Sequence, residues 1–155
     1  MDYASLIYEQ FSTLVPTLGP GRRFRKLSEN SRSGGAIVVC AIDQLKIDCN
    51  WTYQDFSVMV TSNMEANDWS YDWAECYYLF LYLEAINDSD VPTEMLKPPR
   101  LLNWLIENFD AVYLLMCCPD HAARKKAFFE FQAHERKERS DRVVLAFKQD
   151  RLDES

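Results

Sequence analysis

The residues best suited to chemistry in this chain are three carboxylates, Asp68, Asp72 and Glu75, which stand four and three residues apart. On an α-helix this spacing places them on one face, near the start of the helix predicted to contain them. Paired carboxylates can act as general acid and base, but only where a cleft gives them unequal environments. They can instead complement the helix dipole or join a docking surface for a cationic partner.

A second candidate is the run Cys-Cys-Pro-Asp-His at residues 117–121, where a thiolate at a helix start beside a histidine would have a lowered pKa. Adjacent cysteines bond each other only with strain, and no second cysteine pair has the spacing of a structural zinc site. We therefore expect buried thiols here, and we predict no catalytic residue, no metal site and no cofactor. His134, which has no ligand pattern around it, is expected to be a polar helix residue.

Two basic segments raise the question of nucleic-acid binding. The first, residues 16–35, holds all four glycines and five cations, and it is predicted to be a loop. It lacks the GxxxxGK(S/T) order that cradles phosphate groups. In the second, the charged carboxyl-terminal end at 136–155, cations alternate with carboxylates. This alternation is typical of a solvent-exposed helix or a frayed end rather than a nucleic-acid surface.

Charge is segregated along the chain. Residues 37–94 hold eleven carboxylates and one lysine, a local charge of −10 in a chain whose net charge is −7. A field of this sign attracts cationic partners and repels nucleic acid phosphates. We therefore expect an acidic docking surface, which Asp43 and Asp48 would extend. Its predicted partner-binding residues are Asp68, Trp69, Asp72, Trp73, Glu75, Asp88 and Asp90.

Composition predicts a single domain over residues 1–155 with its own core, because 48% of the residues are apolar. The five cysteines are an odd set scattered through apolar stretches, and the amino terminus lacks the order of a secretory signal. We therefore expect a reducing, cytoplasmic location. The longest apolar run, residues 74–83, is far shorter than the roughly 20 residues that span a bilayer.

The elements that would position these residues follow from hydrophobic periodicity. Helical spacing predicts an amphipathic helix over residues 2–14. Strict alternation of apolar and polar residues over 45–53, flanked by apolar segments at 36–42 and 56–61, predicts a three-stranded antiparallel meander. The competing interpretation replaces the last strand with a helix capped by Thr52, so residues 36–61 could be strands or partly helix.

Three more helices are predicted after the meander: a central one over 69–86, one over 98–116 that Asp110 would split, and a charged one that starts at Pro119. The predicted fold class is therefore α+β: an N-terminal helix, a small antiparallel three-stranded sheet, and three C-terminal helices packed on it. An all-α bundle is the alternative.

For function, the sequence favours a non-enzymatic cytoplasmic protein-binding module, an acidic inhibitor or immunity-type protein that docks on a basic partner such as a nuclease or toxin. This rests on an analogy of size and charge. The alternative is a viral or mobile-element accessory protein that binds host protein or RNA through the basic arm 22–32. A thiol- or carboxylate-dependent hydrolase is a third hypothesis. The first hypothesis involves neither a membrane nor nucleic acid, and it leaves a homodimer open.

Overall fold

The sheet of this α+β protein contains five antiparallel strands, and each strand pairs with its neighbours in the sequence. The computed structural model describes residues 2–32, 34–52, 56–62 and 73–153. The predicted class is confirmed, although the numbers of strands and helices differ from the prediction. The strands are β1 (Phe24–Arg32), β2 (Gly35–Ile42), β3 (Leu45–Thr52), β4 (Phe56–Ser62) and β5 (Ala74–Glu75).

Strands β2, β3 and β4 form the predicted meander. Along β3 the side chains from Leu45 to Trp51 alternate between buried and half-buried, as their hydrophobic period of two requires. β4 occupies residues that the competing interpretation assigned to a helix capped by Thr52, so that interpretation is wrong for residues 56–62. Residues 53–55 lie outside the described part of the chain. Pairing with β3 along the whole of β4 explains why the strand prevails over the helix.

Two strands were not predicted. β1 lies within residues 16–35, which we expected to be a loop, and this expectation is corrected for residues 24–32. Most β1 side chains are exposed, and a bulge interrupts the pairing between Lys26 and Ser28. The strand therefore forms by pairing with β2 and not by burying an apolar face. The φ angle of +89° at Gly34 allows the tight turn between the two strands.

The helices are α1 (Tyr3–Leu14), α2 (Cys76–Glu84), α3 (Pro98–Glu107), α4 (Phe109–Cys117) and α5 (Ala122–Asp153). α2 begins later than predicted because the two residues before it pair with β4 as strand β5. The predicted long helix over 98–116 divides at Asn108, whose φ of −109° and ψ of 25° leave the helical region. α5 continues for 32 residues through the end that we expected to be frayed.

Four helices pack against one face of the sheet. The core residues of the central strands include Val38, Ile47 and Val60, and they form one buried cluster with Phe11 of α1 and Leu105 of α3. α2, α3 and α4 contact β4 on the same side. α5 instead contacts β5, α2 and α4, so it lies beside the edge of the sheet. Its amino-terminal half therefore closes the core, while its later turns extend along α2.

Candidate partner-binding surface

The structure describes four of the seven predicted partner-binding residues, namely Trp73, Glu75, Asp88 and Asp90. The other three fall between β4 and β5, outside the described residues, and are Asp68, Trp69 and Asp72. β4 and β5 are adjacent and antiparallel, so Ser62 and Trp73, which flank these residues in the chain, lie at the same end of the sheet. Two of the four described residues, Glu75 and Asp88, are brought to one side of α2.

Glu75 is placed by both strand and helix contacts. It is the last residue of β5, and its extended backbone leads directly into α2. The side chain of Gln132 on α5 accepts a hydrogen bond from the Glu75 N–H at 2.7 Å and donates one to the C=O of Trp73 at 3.2 Å. The Glu75 carboxylate accepts a hydrogen bond from Arg136 at 3.3 Å. One stretch of α5 therefore fixes the backbone and the charge of Glu75.

Asp88 lies beyond the other end of α2, at the start of the 3₁₀ turn Asp88–Asp90. One carboxylate oxygen accepts a hydrogen bond from the Tyr77 hydroxyl, and the other accepts one from Arg142 at 3.1 Å. Burial, followed by the hydrogen bond to Asp88, raises the pKa of Tyr77 well above its usual value of 10.0. The hydroxyl therefore remains protonated, and it orients the carboxylate towards the arginine.

Two tyrosine rings of α2 face arginines of α5 beside these carboxylates. The guanidinium of Arg136 lies 5.7 Å from the ring centroid of Tyr78, and that of Arg139 lies 5.5 Å from the ring centroid of Tyr77. Both tyrosines are buried. A guanidinium group over an aromatic face is held by the ring quadrupole as well as by nearby carboxylates. We call Glu75, Tyr77, Tyr78 and Asp88 the acidic-aromatic edge.

The three arginines that contact this edge stand three residues apart on α5, at positions 136, 139 and 142. We call them the arginine stripe. In the sequence these cations alternate with carboxylates, but the carboxylates repeat with the same period one residue earlier. The positively charged side chains and the negatively charged side chains therefore form two neighbouring rows along the helix. Regular spacing of the arginines was the signal that could have revealed a contact surface. The carboxylates in question are Glu135, Glu138 and Asp141.

Trp73 and Asp90 are not part of this contact. The ring centroid of Trp73 lies 6.0 Å from the Lys46 ammonium nitrogen on β3, while its backbone carbonyl is held by Gln132. Asp90 is exposed, and its backbone N–H donates to the C=O of Asn87 at 2.9 Å. Asp90 remains a candidate contact for a partner at the rim of the acidic-aromatic edge.

Asp43 has an internal role at the turn between β2 and β3. It accepts hydrogen bonds from the backbone of Arg23 and the side chain of Arg22, each at 2.9 Å. The backbone hydrogen bond from Arg23 is the main cause of its lowered pKa. Arg22 also pairs with Asp110 at 2.9 Å and lies 4.8 Å from the ring centroid of Phe109. Asp43 and Arg22 together therefore connect the sheet to α4.

Asp48 lies on β3, two strands from Glu75, in the cross-strand row that runs through Met59. Neighbouring strands are about 4.8 Å apart, so the two acidic residues are separated by about 10 Å of sheet. Burial raises the pKa of the Asp48 carboxyl, and one of its oxygens is covered without a hydrogen-bond donor. The ionised carboxylate of Asp48 therefore lowers the stability of the folded state.

The thiols sit in apolar surroundings. Cys117 is buried, as expected, and its Sγ contacts the C=O of Gln44 at 3.5 Å, while Cys118 is half-buried. Burial raises the pKa of Cys40 to about 12, so this thiol is not ionised at neutral pH. Within residues 2–32, 34–52, 56–62 and 73–153, no three His, Cys, Asp or Glu side chains are grouped to hold a metal ion.

No protein-family model matches this chain, and neither the curated proteins nor the solved structures contain a match to it. Among the helices of the described residues, none combines the length and apolar character needed to cross a membrane.

Proposed function

We propose that this chain is a non-enzymatic cytoplasmic protein-binding module, an acidic inhibitor or immunity-type protein that docks on a basic partner such as a nuclease or toxin. The observation that supports this proposal most directly is that Glu75 and Asp88, two predicted partner-binding residues, each bind an arginine side chain. The surface thus has the chemistry needed to bind a cationic protein.

The acidic-aromatic edge suits guanidinium groups for two reasons. Hydrogen bonds from arginine to a carboxylate are charge-assisted and stronger than those between neutral groups. The rings of Tyr77 and Tyr78 add a flat face on which the planar guanidinium can lie. Aromatic residues beside charged groups are also frequent where binding energy concentrates in protein interfaces.

Long-range charge supports the same class of partner. The net charge of −7 and the excess of carboxylates over residues 37–94 would speed the approach of a cationic protein. Exposed charges are screened over about 8 to 10 Å at physiological ionic strength. The association rate should therefore fall as salt is added.

The alternative function, binding of host protein or RNA through the arm 22–32, has less support. Arg22 is occupied by Asp43 and Asp110, and residues 24–32 belong to β1. A partner at this arm would therefore contact mainly Arg23, just before the edge strand β1, and Arg25 and Arg32 on that strand.

The proposal is tested by affinity capture from the lysate of the native host, at low and high salt. The wild type is compared with the double variant Glu75→Gln/Asp88→Asn and with Glu94→Gln/Glu107→Gln, which loses the same charge at exposed positions. We expect a basic protein that elutes with salt and is retained by the wild type and the control but not by the first variant. Capture of RNA, or equal capture by all three chains, would overturn the proposal.

A further inference from the structure

We infer that the acidic-aromatic edge is a binding site for a basic helix, and that the distal part of α5, residues 136–153, occupies this site intramolecularly and is displaced when such a partner binds. The identity of the partner class rests on the proposed function. The intramolecular occupation can be tested without any partner.

The two parts of α5 are attached to the protein in different ways. In the proximal part, residues 122–135, Phe128 is fully buried and Gln132 is 3% exposed, so this part belongs to the core. From residue 133 to residue 151, no described side chain is buried. The distal part could therefore leave the surface without pulling a buried side chain of its own out of the core, and its departure would uncover the rings of Tyr77 and Tyr78.

The described contacts of the distal part with α2 and Asp88 come from the arginine stripe. Arg136 binds Glu75, Arg139 lies over Tyr77, and Arg142 binds Asp88. The side chains of Arg136 and Arg142 are 45% and 55% exposed, so water and salt compete with both ion pairs. Contacts of this kind hold a helix in place weakly and reversibly.

Residues beyond the arginine stripe do not add apolar packing. The side chains of Val143, Val144, Leu145 and Phe147 are between 47% and 66% exposed. A helix end that was permanently docked would be expected to bury such residues. Their exposure is consistent with a segment that spends time away from the surface.

The intramolecular contact also specifies the ligand. Arginines three residues apart on a helix are spaced by about 4.5 Å along its axis, and on α5 they contact Glu75, a tyrosine ring and Asp88 in that order. A partner helix with arginines at i, i+3 and i+6 would reproduce all three contacts. Since a tethered segment acts at an effective concentration in the millimolar range, the free chain should bind such a helix more weakly than a chain whose own stripe is removed.

The test uses the full-length chain and a fluorescent peptide with the sequence of residues 133–153. The variant Arg136→Gln/Arg139→Gln/Arg142→Gln removes the stripe but keeps good helix formers on an exposed surface. We expect it to bind the peptide about 10-fold or more tightly than the wild type does, in a salt-sensitive manner. A peptide with the same three arginines changed to glutamine should not bind.

Two further chains serve as controls. The variant Arg100→Gln/Arg124→Gln/Lys126→Gln loses the same charge at exposed positions outside residues 136–153 and should bind the peptide like the wild type. Adding Glu75→Gln/Asp88→Asn to the stripe variant should abolish binding. Equal peptide affinity of the wild type and the stripe variant, or no binding by either, would overturn the inference. Peptide binding by the stripe variant without capture of any basic protein from lysate would count against the proposed function alone.

Discussion

The side-chain amide of Gln132 hydrogen-bonds to the backbone of β5 as a neighbouring strand would, with its oxygen 2.7 Å from the N–H of Glu75. The amide nitrogen of Gln132 makes the second hydrogen bond by donating to the backbone C=O of Trp73. An exposed edge strand offers unpaired backbone groups to other chains. Gln132 therefore closes this edge of the sheet, and it also holds Glu75 at the position where Arg136 reaches it.

Replacing Gln132 with leucine should destabilise the protein, because the Glu75 N–H and the Trp73 C=O would lose their hydrogen bonds to Gln132 while an apolar group covers them. A buried polar group without a partner costs roughly 1–3 kcal/mol. Urea unfolding followed by circular dichroism measures the loss. Gln149→Leu, on an exposed part of the same helix, should change the stability by less than about 0.5 kcal/mol. Equal effects of the two changes would contradict the role given to Gln132.

Replacing Asp48 with asparagine should stabilise the protein at neutral pH. Burial raises the pKa of Asp48 in the folded state above 3.8, so ionisation costs more in the folded state than in the unfolded state. The wild type therefore loses stability as pH rises from about 3.8 through the folded pKa, whereas the asparagine variant does not lose this contribution. Because the carboxyl is partly exposed and water screens its charge, we expect an advantage of no more than about 1 kcal/mol at pH 7, which disappears near pH 3.

Unfolding free energies measured across this pH range provide the check, with Asp90→Asn as an exposed control. An advantage of the Asp48 variant that was constant from pH 3 to pH 7 would show that ionisation is not its cause.

Replacing Asp43 with asparagine should destabilise the protein at neutral pH. Asparagine tolerates the positive φ of 52° at this turn, so the main loss is the negative charge, which accepts the hydrogen bond from the Arg23 N–H and pairs with Arg22. The folded-state pKa of Asp43 is lowered below 3.8, so its stabilising contribution is present above that value and is lost as pH falls through the folded pKa. We expect a loss of about 1 kcal/mol at pH 7, since the pair is partly exposed.

Thermal or urea unfolding at pH 7 and at pH 2 to 3 would measure this loss and its disappearance in acid. Asp110→Asn removes the second partner of Arg22, but Asp110 is 85% exposed and should matter much less. A larger effect at Asp110 than at Asp43 would contradict the proposed connection of sheet and α4.

The sequence predicted the parts of the fold that have a clear hydrophobic period. The strands β2 to β4 and the helix α1 follow such patterns, and Asp2 caps α1 by accepting a hydrogen bond from the Ser5 N–H at 3.3 Å. β1 has no such pattern, because most of its side chains face water and its pairing with β2 decides its conformation. β5 has only two residues, which is too short to produce a period.

The sequence indicated the acidic residues of the candidate site, but it did not indicate which residues contact them. Glu75 and Arg136 are 61 positions apart, and no local rule connects them. The period of three among the arginines indicated a stripe on α5, but its target depended on how α5 crosses α2. Asp43 was assigned to the docking surface because of its charge alone, whereas Arg22 neutralises it within the fold.

The most direct test of the account is the affinity of the captured basic protein for the wild type and for Glu75→Gln/Asp88→Asn, measured by titration calorimetry at low and high ionic strength. If the partner docks on the acidic-aromatic edge, the variant should bind it about 10-fold or more weakly at low salt, with a smaller difference at high salt. Equal affinities of the two chains at low salt would contradict the claim that the acidic-aromatic edge binds the partner.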